Sequence, residues 1–143
     1  MIQRIQSIYL FLASGALFGL FALPVATTEK ERENSELFAD AKFNLFDELP
    51  ILAIVALAGA VLLVTIFLYN NRKLQMNLTK VGVLLVIGAC LFGGYTYWGD
   101  SAKSVAEPAV GVALPVLALI FAWLAHRGIK SDEKLVQSMD RLR

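Results

Sequence analysis

Long uncharged stretches alternate with short charged ones along the chain, and each long stretch has the length of a membrane helix. Residues 49–69, LPILAIVALAGAVLLVTIFLY, carry no charge. A helix rises about 1.5 Å per residue, so a helix of this length crosses a hydrocarbon core of roughly 30 Å. Asp47 and Glu48 precede the stretch, and Arg72 and Lys73 follow it. The pattern predicts a transmembrane helix with one acidic and one basic end.

Further apolar runs predict three more spans. Together with the first, the predicted spans cover about residues 5–26, 49–70, 80–98 and 108–126. The earliest run follows Arg4, and a basic start before an apolar run is also the pattern of a cleaved signal peptide. We favour a retained helix, because the run is long for a signal peptide and cleavage after Ala26 would place Pro24 at the −3 position.

The predicted fold is an all-α membrane protein with four transmembrane helices in an antiparallel bundle, as one domain over residues 1–143. Outer loops are expected at 27–48 and 99–107, a cytoplasmic loop at 71–79 and a cytoplasmic tail at 127–143. Pro115 falls inside the fourth span and lacks a backbone donor, which predicts a kink there. Such a kink serves as a hinge or as a packing detail.

Charge divides unevenly between the two sides of this topology. Nine of the 13 Lys and Arg residues fall on the side of the termini, and nine of the 12 Asp and Glu residues fall on the other side. Because cytoplasmic loops of membrane proteins carry an excess of Lys and Arg, both termini are predicted to be cytoplasmic.

The polar segment at 27–48 has two interpretations. Phe43 and Leu45 alternate with Asn44, which suits a short strand, and residues 39–41 would then form the turn of a small hairpin. The interpretation that we favour is a loop whose phenylalanines cover the helix ends or dip into the membrane interface.

The C-terminal segment predicts a short amphipathic helix. One apolar and one basic stripe at helical spacing consist of Leu135, Val136, Met139 and Leu142, and of Lys130, Lys134 and Arg141. Such a helix would lie on an anionic leaflet or dock on a partner protein. A frayed, solvated terminus is the alternative.

Residues for catalysis are scarce. No charged residue falls in the middle of a predicted span, where a charge costs at least about 2.5–3.5 kcal/mol and usually serves a function. Cys90 and His126 are the single cysteine and histidine, which excludes an internal disulfide and multi-histidine metal sites. Cys90 lies in an apolar run, which favours a buried packing residue. We predict a non-enzymatic protein with no catalytic or metal-binding residue, no cofactor and no nucleic-acid partner.

Three stretches resemble an uncharacterised family of bacterial four-helix integral membrane proteins, classed as a domain of unknown function. These stretches are the opening MIQRIQSIYLFLA, the central FLYNNRKLQ and the closing DEKLVQSMDRLR. The resemblance covers the whole chain and implies a multi-pass protein of the bacterial inner membrane. It implies no activity and no catalytic residue.

These features predict a subunit, or an assembly or scaffold partner, of a larger membrane complex. The alternative is a carrier or channel for a small apolar or lipid-like molecule, with Pro115 as its hinge. Binding of a membrane-protein partner or of anionic lipid headgroups is assigned to the cytoplasmic face. The candidate residues are Arg4, Arg72, Lys73, Arg127, Lys130, Lys134, Leu135, Met139, Arg141, Leu142 and Arg143. Topology alone also places bases on this face.

Overall fold

Four helices form the body of the protein. The computed structural model describes residues 3–31 and 35–140, with side chains for 5–31 and 35–139. The helices are α1 (Gln3–Gly19), α2 (Leu49–Ile66), α3 (Arg72–Gly99) and α4 (Ala113–Asp140). Each helix packs on the next in a ring, with α4 also packed on α1, and the seam between α3 and α4 is the least extensive. The predicted helical fold is confirmed.

Three helical segments have the length and composition of membrane spans. They are Leu49–Ile66, Arg72–Gly99 and Val110–Met139. The first helix, α1, is apolar but has only 17 residues. Its length of about 25 Å is shorter than a hydrocarbon core of roughly 30 Å.

The contacts of α1 with α4 run from end to end of α1. At its start, Gln6 lies against Gly128, where an added Cβ would be 2.9 Å from the glutamine Cγ. At its end, Gly19 lies against Leu114, with an added Cβ 3.2 Å from a leucine methyl group. The start of α1 therefore lies beside the later part of α4, and its end lies beside the first turn of α4.

The closest approach of α2 and α3 depends on a glycine. A Cβ placed on Gly82 would lie 2.6 Å from the Cδ2 atom of Leu62, which is fully buried. Real Cβ atoms are essentially never found at such a distance. The backbone of α3 can therefore contact α2 here only because residue 82 has no side chain.

Gly82→Ala should destabilise the fold by about 1–3 kcal/mol, because the added methyl group overpacks a filled site. The measurement is the thermal unfolding midpoint in a mild detergent. Gly88→Ala is the control on the same helix, because a Cβ there meets nothing within 4 Å. It should be neutral or stabilise by up to about 1 kcal/mol through helix propensity. Equal midpoints for the two variants would contradict this account.

A small sheet joins the connections at one end of the helices. Its strands are β1 (Ala26–Thr27), β2 (Lys42–Phe43) and β3 (Glu107–Pro108), with β1 in the centre and antiparallel to both neighbours. We call this end of the protein the outer end and the opposite end the inner end, after the predicted topology.

The sheet corrects the favoured interpretation of residues 27–48 as a loop. Phe43 pairs with Ala26, and the chain turns back through Ala41, which has a positive φ of 62°. The expected role of the phenylalanines is confirmed in part. Phe38 is fully buried, and its ring contacts both Phe43 and Tyr97 near the outer end of α3.

Two helices are longer at the inner end than their predicted spans. Because α3 begins at Arg72, the connection expected at 71–79 is almost entirely helical, and Asn71 caps the helix by accepting a hydrogen bond from the Leu74 N–H at 3.1 Å. The predicted tail helix is the unbroken continuation of α4 to Asp140. The fully buried Ile129 anchors this continuation in the helical body.

The predicted kink at Pro115 is wrong. A 3-10 turn at Val110–Val112 precedes α4, which begins at Ala113, so the proline lies in the first turn of the helix. The N–H groups of a first turn have no partner within the helix, and a residue without an N–H is tolerated there. Pro115 is therefore accommodated in the first turn of the helix and gives no reason for a bend.

Candidate functional site

The candidate residues on α3 line a polar cleft at the inner end. Arg72 and Lys73 occupy the first turn of α3, and Glu133 of α4 faces the same space. The cleft has a volume of about 420 Å³, and the turn between α2 and α3 completes its wall. The structure thus brings two predicted bases together with the inner part of α4.

The candidate bases on α4 divide by their surroundings. The Arg127 guanidinium lies over the Trp123 ring, 5.6 Å from its centre. Such a cation–π contact holds a charge at a fixed place. Lys130 and Lys134 are exposed. The side chain of Arg4 and residues Arg141, Leu142 and Arg143 lie outside the described part of the chain.

An exposed apolar stripe occupies the end of α4. Leu135 and Met139 are 54% and 71% exposed, and Val136 beside them is also exposed. A helix of the 28 residues in α4 is about 42 Å long, which exceeds the roughly 30 Å of a hydrocarbon core. The last turns of α4 therefore extend beyond the length that is needed to cross a hydrocarbon core.

A buried polar pair joins α1 to α4 at the inner end, and neither residue was among the predicted site residues. The Gln6 amide donates a hydrogen bond of 2.5 Å to the Asp132 carboxylate, and the two side chains are only 4% and 8% exposed. Gly128, one turn before Asp132, leaves room for the Gln6 side chain. A buried polar group needs such a partner, because leaving it unpaired costs free energy.

A second polar contact joins α2 to α3 at the same end, next to a side-chain hydrogen bond within α3. The buried Gln75 side chain donates to the backbone carbonyl of Thr65 at 3.2 Å, and the Thr79 hydroxyl donates to the Gln75 carbonyl at 2.8 Å. Gln75 and Thr79 are four residues apart, so they share one face of α3. This spacing is the one signal in the sequence that indicates a polar inner layer.

Asp132→Ala should lower the stability of the fold by about 1–3 kcal/mol, because it leaves the buried Gln6 amide without its acceptor. Asp132→Asn keeps an acceptor oxygen and should cost less. The thermal unfolding midpoint in mild detergent measures both effects.

Glu133→Ala provides the comparison at the neighbouring position, where the carboxylate accepts from the exposed Gln137 amide. It should leave the midpoint nearly unchanged. A Glu133→Ala protein as unstable as the Asp132→Ala protein would show that the buried pair is not the cause.

An apolar pocket of about 520 Å³ lies at the outer end, and the sequence did not predict it. All four helices contribute to its wall, and each of the three strands adds one lining residue. Its lining consists of Leu17, Leu20, Val25, Ala26, Phe43, Leu45, Ile51, Val55, Val86, Ala89, Cys90, Gly93, Gly94, Tyr97, Pro108, Val112, Pro115 and Val116. Pockets of this size hold small molecules in proteins, where the usual range is about 300–1,000 Å³.

The mouth of the pocket lies at the seam between α3 and α4. The lining residues from α1 and α2 are buried, whereas Gly94 on α3 and Val116 on α4 are exposed. Cys90 is exposed on the same side, so its expected place as a buried packing residue is wrong. The seam with the least extensive packing is thus also the entrance.

The acidic side chains of Asp40, Asp47 and Asp100 lie at the outer end. Partial burial raises the pKa of the Asp47 carboxyl, the nearby Asp40 raises it further, and a hydrogen bond of 2.6 Å from the Asn44 N–H opposes both effects. Asp100 holds the outer loop by accepting hydrogen bonds of 2.8 Å from the Ser35 hydroxyl. Within the described residues, no group of three or more His, Cys, Asp or Glu side chains could hold a metal ion.

Fold and site together define a helical protein with three helices of membrane-spanning length and an apolar pocket under a small sheet. Residues 2–142 match the model of the family described as Domain of unknown function (DUF4293), and the chain belongs to this family. The predicted resemblance to a family of unknown function is thereby confirmed. No curated protein and no solved structure matches the chain.

Proposed function

We propose that the protein is a non-enzymatic module of a bacterial inner membrane, with four antiparallel spans and both termini in the cytoplasm. It acts as a subunit or assembly partner of a membrane complex. The main support for this proposal is the exposed apolar stripe of Leu135, Val136 and Met139. It lies on a helix of 28 residues, which is longer than a membrane span requires. The charge distribution supports the orientation, because bases concentrate at the inner end.

The contacts of α1 support a fourth span in spite of its length. From Gln6 to Gly19, this helix lies against the α4 segment between Gly128 and Leu114, which is itself part of a membrane-length helix. A helix of about 25 Å crosses a membrane by local thinning of the bilayer, at a modest cost for each ångström of mismatch. The turn at residues 20–23 adds further apolar chain at its outer end.

The direction of α4 favours a protein partner over the leaflet. An amphipathic helix that binds a leaflet lies in the plane of the interface. The stripe instead lies on the unbroken continuation of α4. In the proposed topology it therefore extends away from the bilayer into the cytoplasm. A groove in a partner protein buries such a stripe, and Lys130 and Lys134 next to it would meet acidic groups at the rim of that groove.

Replacing the two most exposed anchors, Leu135→Ser with Met139→Ser, should abolish recovery of the partner. The measurement is a cross-linking pull-down from native membranes through a tag on the N-terminus. Recovery should fall by about ten-fold or more, because a few apolar anchors carry most of the energy of an interface.

The control for this experiment is Gln137→Ala with Ser138→Ala, on the same exposed turns of α4. Neither residue belongs to the apolar stripe, so this variant should recover the partner as the unchanged protein does. If the serine variant retained full recovery, or if the unchanged protein were always recovered alone, the docking proposal would fail.

Binding of a small apolar or lipid-like molecule is the second candidate function. The observation that favours it is the apolar pocket of about 520 Å³ with its mouth between α3 and α4. The hinge expected at Pro115 no longer supports a carrier, because this residue lies in the first turn of α4. The pocket supports binding, and movement across the membrane would need another hinge.

A further inference from the structure

We propose that the outer pocket holds one acyl chain of a zwitterionic phospholipid, which enters between α3 and α4 and places its phosphate beside Lys103. This proposal deepens the second candidate function, since it names the ligand, and it rests on the proposed orientation in the membrane. It does not depend on docking at the inner end.

The lining of the pocket selects an apolar occupant. Its walls are aliphatic or glycine, apart from Phe43, the Cys90 thiol and Tyr97. The Tyr97 hydroxyl is already used, because it donates to the backbone carbonyl of Lys103 at 3.2 Å. A ligand with many polar groups would lose its hydration here without gaining partners, which is unfavourable. A hydrocarbon chain loses nothing of this kind.

The position of the pocket mouth determines which molecules can enter the pocket. The entrance is flanked by Cys90 and Gly94 on α3 and by Val116 on α4, all of them exposed within membrane-length helices. At this depth the surroundings of the protein are the acyl chains of the outer leaflet, and water is absent. Toward the aqueous side the pocket is lined by Ala26, Phe43 and Pro108 of the sheet, of which Ala26 and Phe43 are buried. The neighbouring lipid is therefore the molecule with access.

The outer edge of the pocket carries one fixed base. The Lys103 ammonium donates a hydrogen bond of 2.6 Å to the Trp98 carbonyl and lies 5.3 Å from the centre of the Trp98 ring. An ammonium has three donors, so others remain for a phosphate oxygen. Tryptophan is typical of the level of the lipid headgroups. Because the Tyr97 hydroxyl donates to the backbone carbonyl of Lys103, this lysine lies next to a residue of the pocket wall.

The charge of the outer side favours a zwitterionic lipid over an anionic one. Under the proposed topology this side carries nine acids and four bases. Glu107 lies in the strand next to Pro108 of the pocket roof, and the Asp100 carboxylate is bonded to the outer loop. A lipid with a net negative charge is repelled by these groups, whereas the ammonium of a zwitterionic headgroup is attracted.

The test is native mass spectrometry of the full chain after transfer from nanodiscs that contain equal amounts of a zwitterionic and an anionic phospholipid. The unchanged protein should retain one phospholipid, enriched in the zwitterionic form. Gly93→Leu should lower the retained fraction by about ten-fold, because its added carbons fill space now open to a chain. A Cβ on Gly93 lies at an ordinary van der Waals distance of 3.5 Å from the Ile51 Cδ1 atom.

Gly88→Leu is the matched control, because it lies on the same helix outside the pocket and a Cβ there meets nothing within 4 Å. It should retain lipid as the unchanged protein does. Val116→Phe fills the pocket from the exposed side of α4 and replaces Gly93→Leu if that variant does not fold. Lys103→Gln should retain less lipid, because the phosphate loses its nearby ammonium, and should keep the preference for the zwitterionic form, which the acidic side chains produce.

Three results would overturn the proposal. They are the absence of retained lipid on the unchanged protein, equal retention in the filled and control variants, and retention of the anionic lipid in preference. The proposed lipid site and the carrier function fail separately. A retained lipid without any lipid flux in proteoliposomes leaves the site in place and removes the carrier.

Discussion

Backbone hydrogen bonds at the outer end bring the helix connections together, and the pocket depends on them. The Val25 N–H donates to the Phe43 carbonyl at 2.8 Å, and the Ala109 N–H donates to the Val25 carbonyl at 2.9 Å. One strand thereby links the chain leaving α1 to the chains that enter α2 and α4. Strands of two residues contribute few such bonds and are marginal alone. The buried Phe38 and Phe43 beneath them supply the apolar contact that keeps them paired.

The sequence predicts the parts of this fold that follow from long apolar runs, and it fails where the signal is short. The span at about 49–70 was expected from its length and lack of charge, and the observed helix, Leu49–Ile66, ends four residues earlier. The strand at Lys42–Phe43 has too few residues for an alternating pattern to stand out. Its partner, the central strand at Ala26–Thr27, also pairs with Glu107–Pro108, which lies far away in the chain. The pocket follows from packing between distant helices, which no local pattern records.

The inner end shows why helix boundaries were also misplaced. Charged residues were taken as the end of each span, yet the first turns of α3 and the last turns of α4 are polar and helical at once. Asp132 lies in the tail that was expected to form a separate amphipathic helix. Its burial against Gln6 makes it an internal contact of α4 with α1, which requires α4 to continue through this level. Tertiary packing, and not the composition of this segment, thus explains why α4 continues as one helix.

The seam between α3 and α4 separates two hydrogen-bonded helix pairs at the inner end, and the sheet connects these pairs at the outer end. At the inner end, the described side-chain hydrogen bonds between helices join α1 to α4 through Gln6 and Asp132, and α2 to α3 through Gln75 and Thr65. The helices are thus tied as two pairs. The mouth of the pocket lies where one pair meets the other, at the least extensive seam. Widening it separates α4 from α3 without breaking either hydrogen bond, while β1 keeps the two pairs connected above. A chain that enters or leaves this seam therefore displaces packing between α3 and α4 and leaves both of these hydrogen bonds intact.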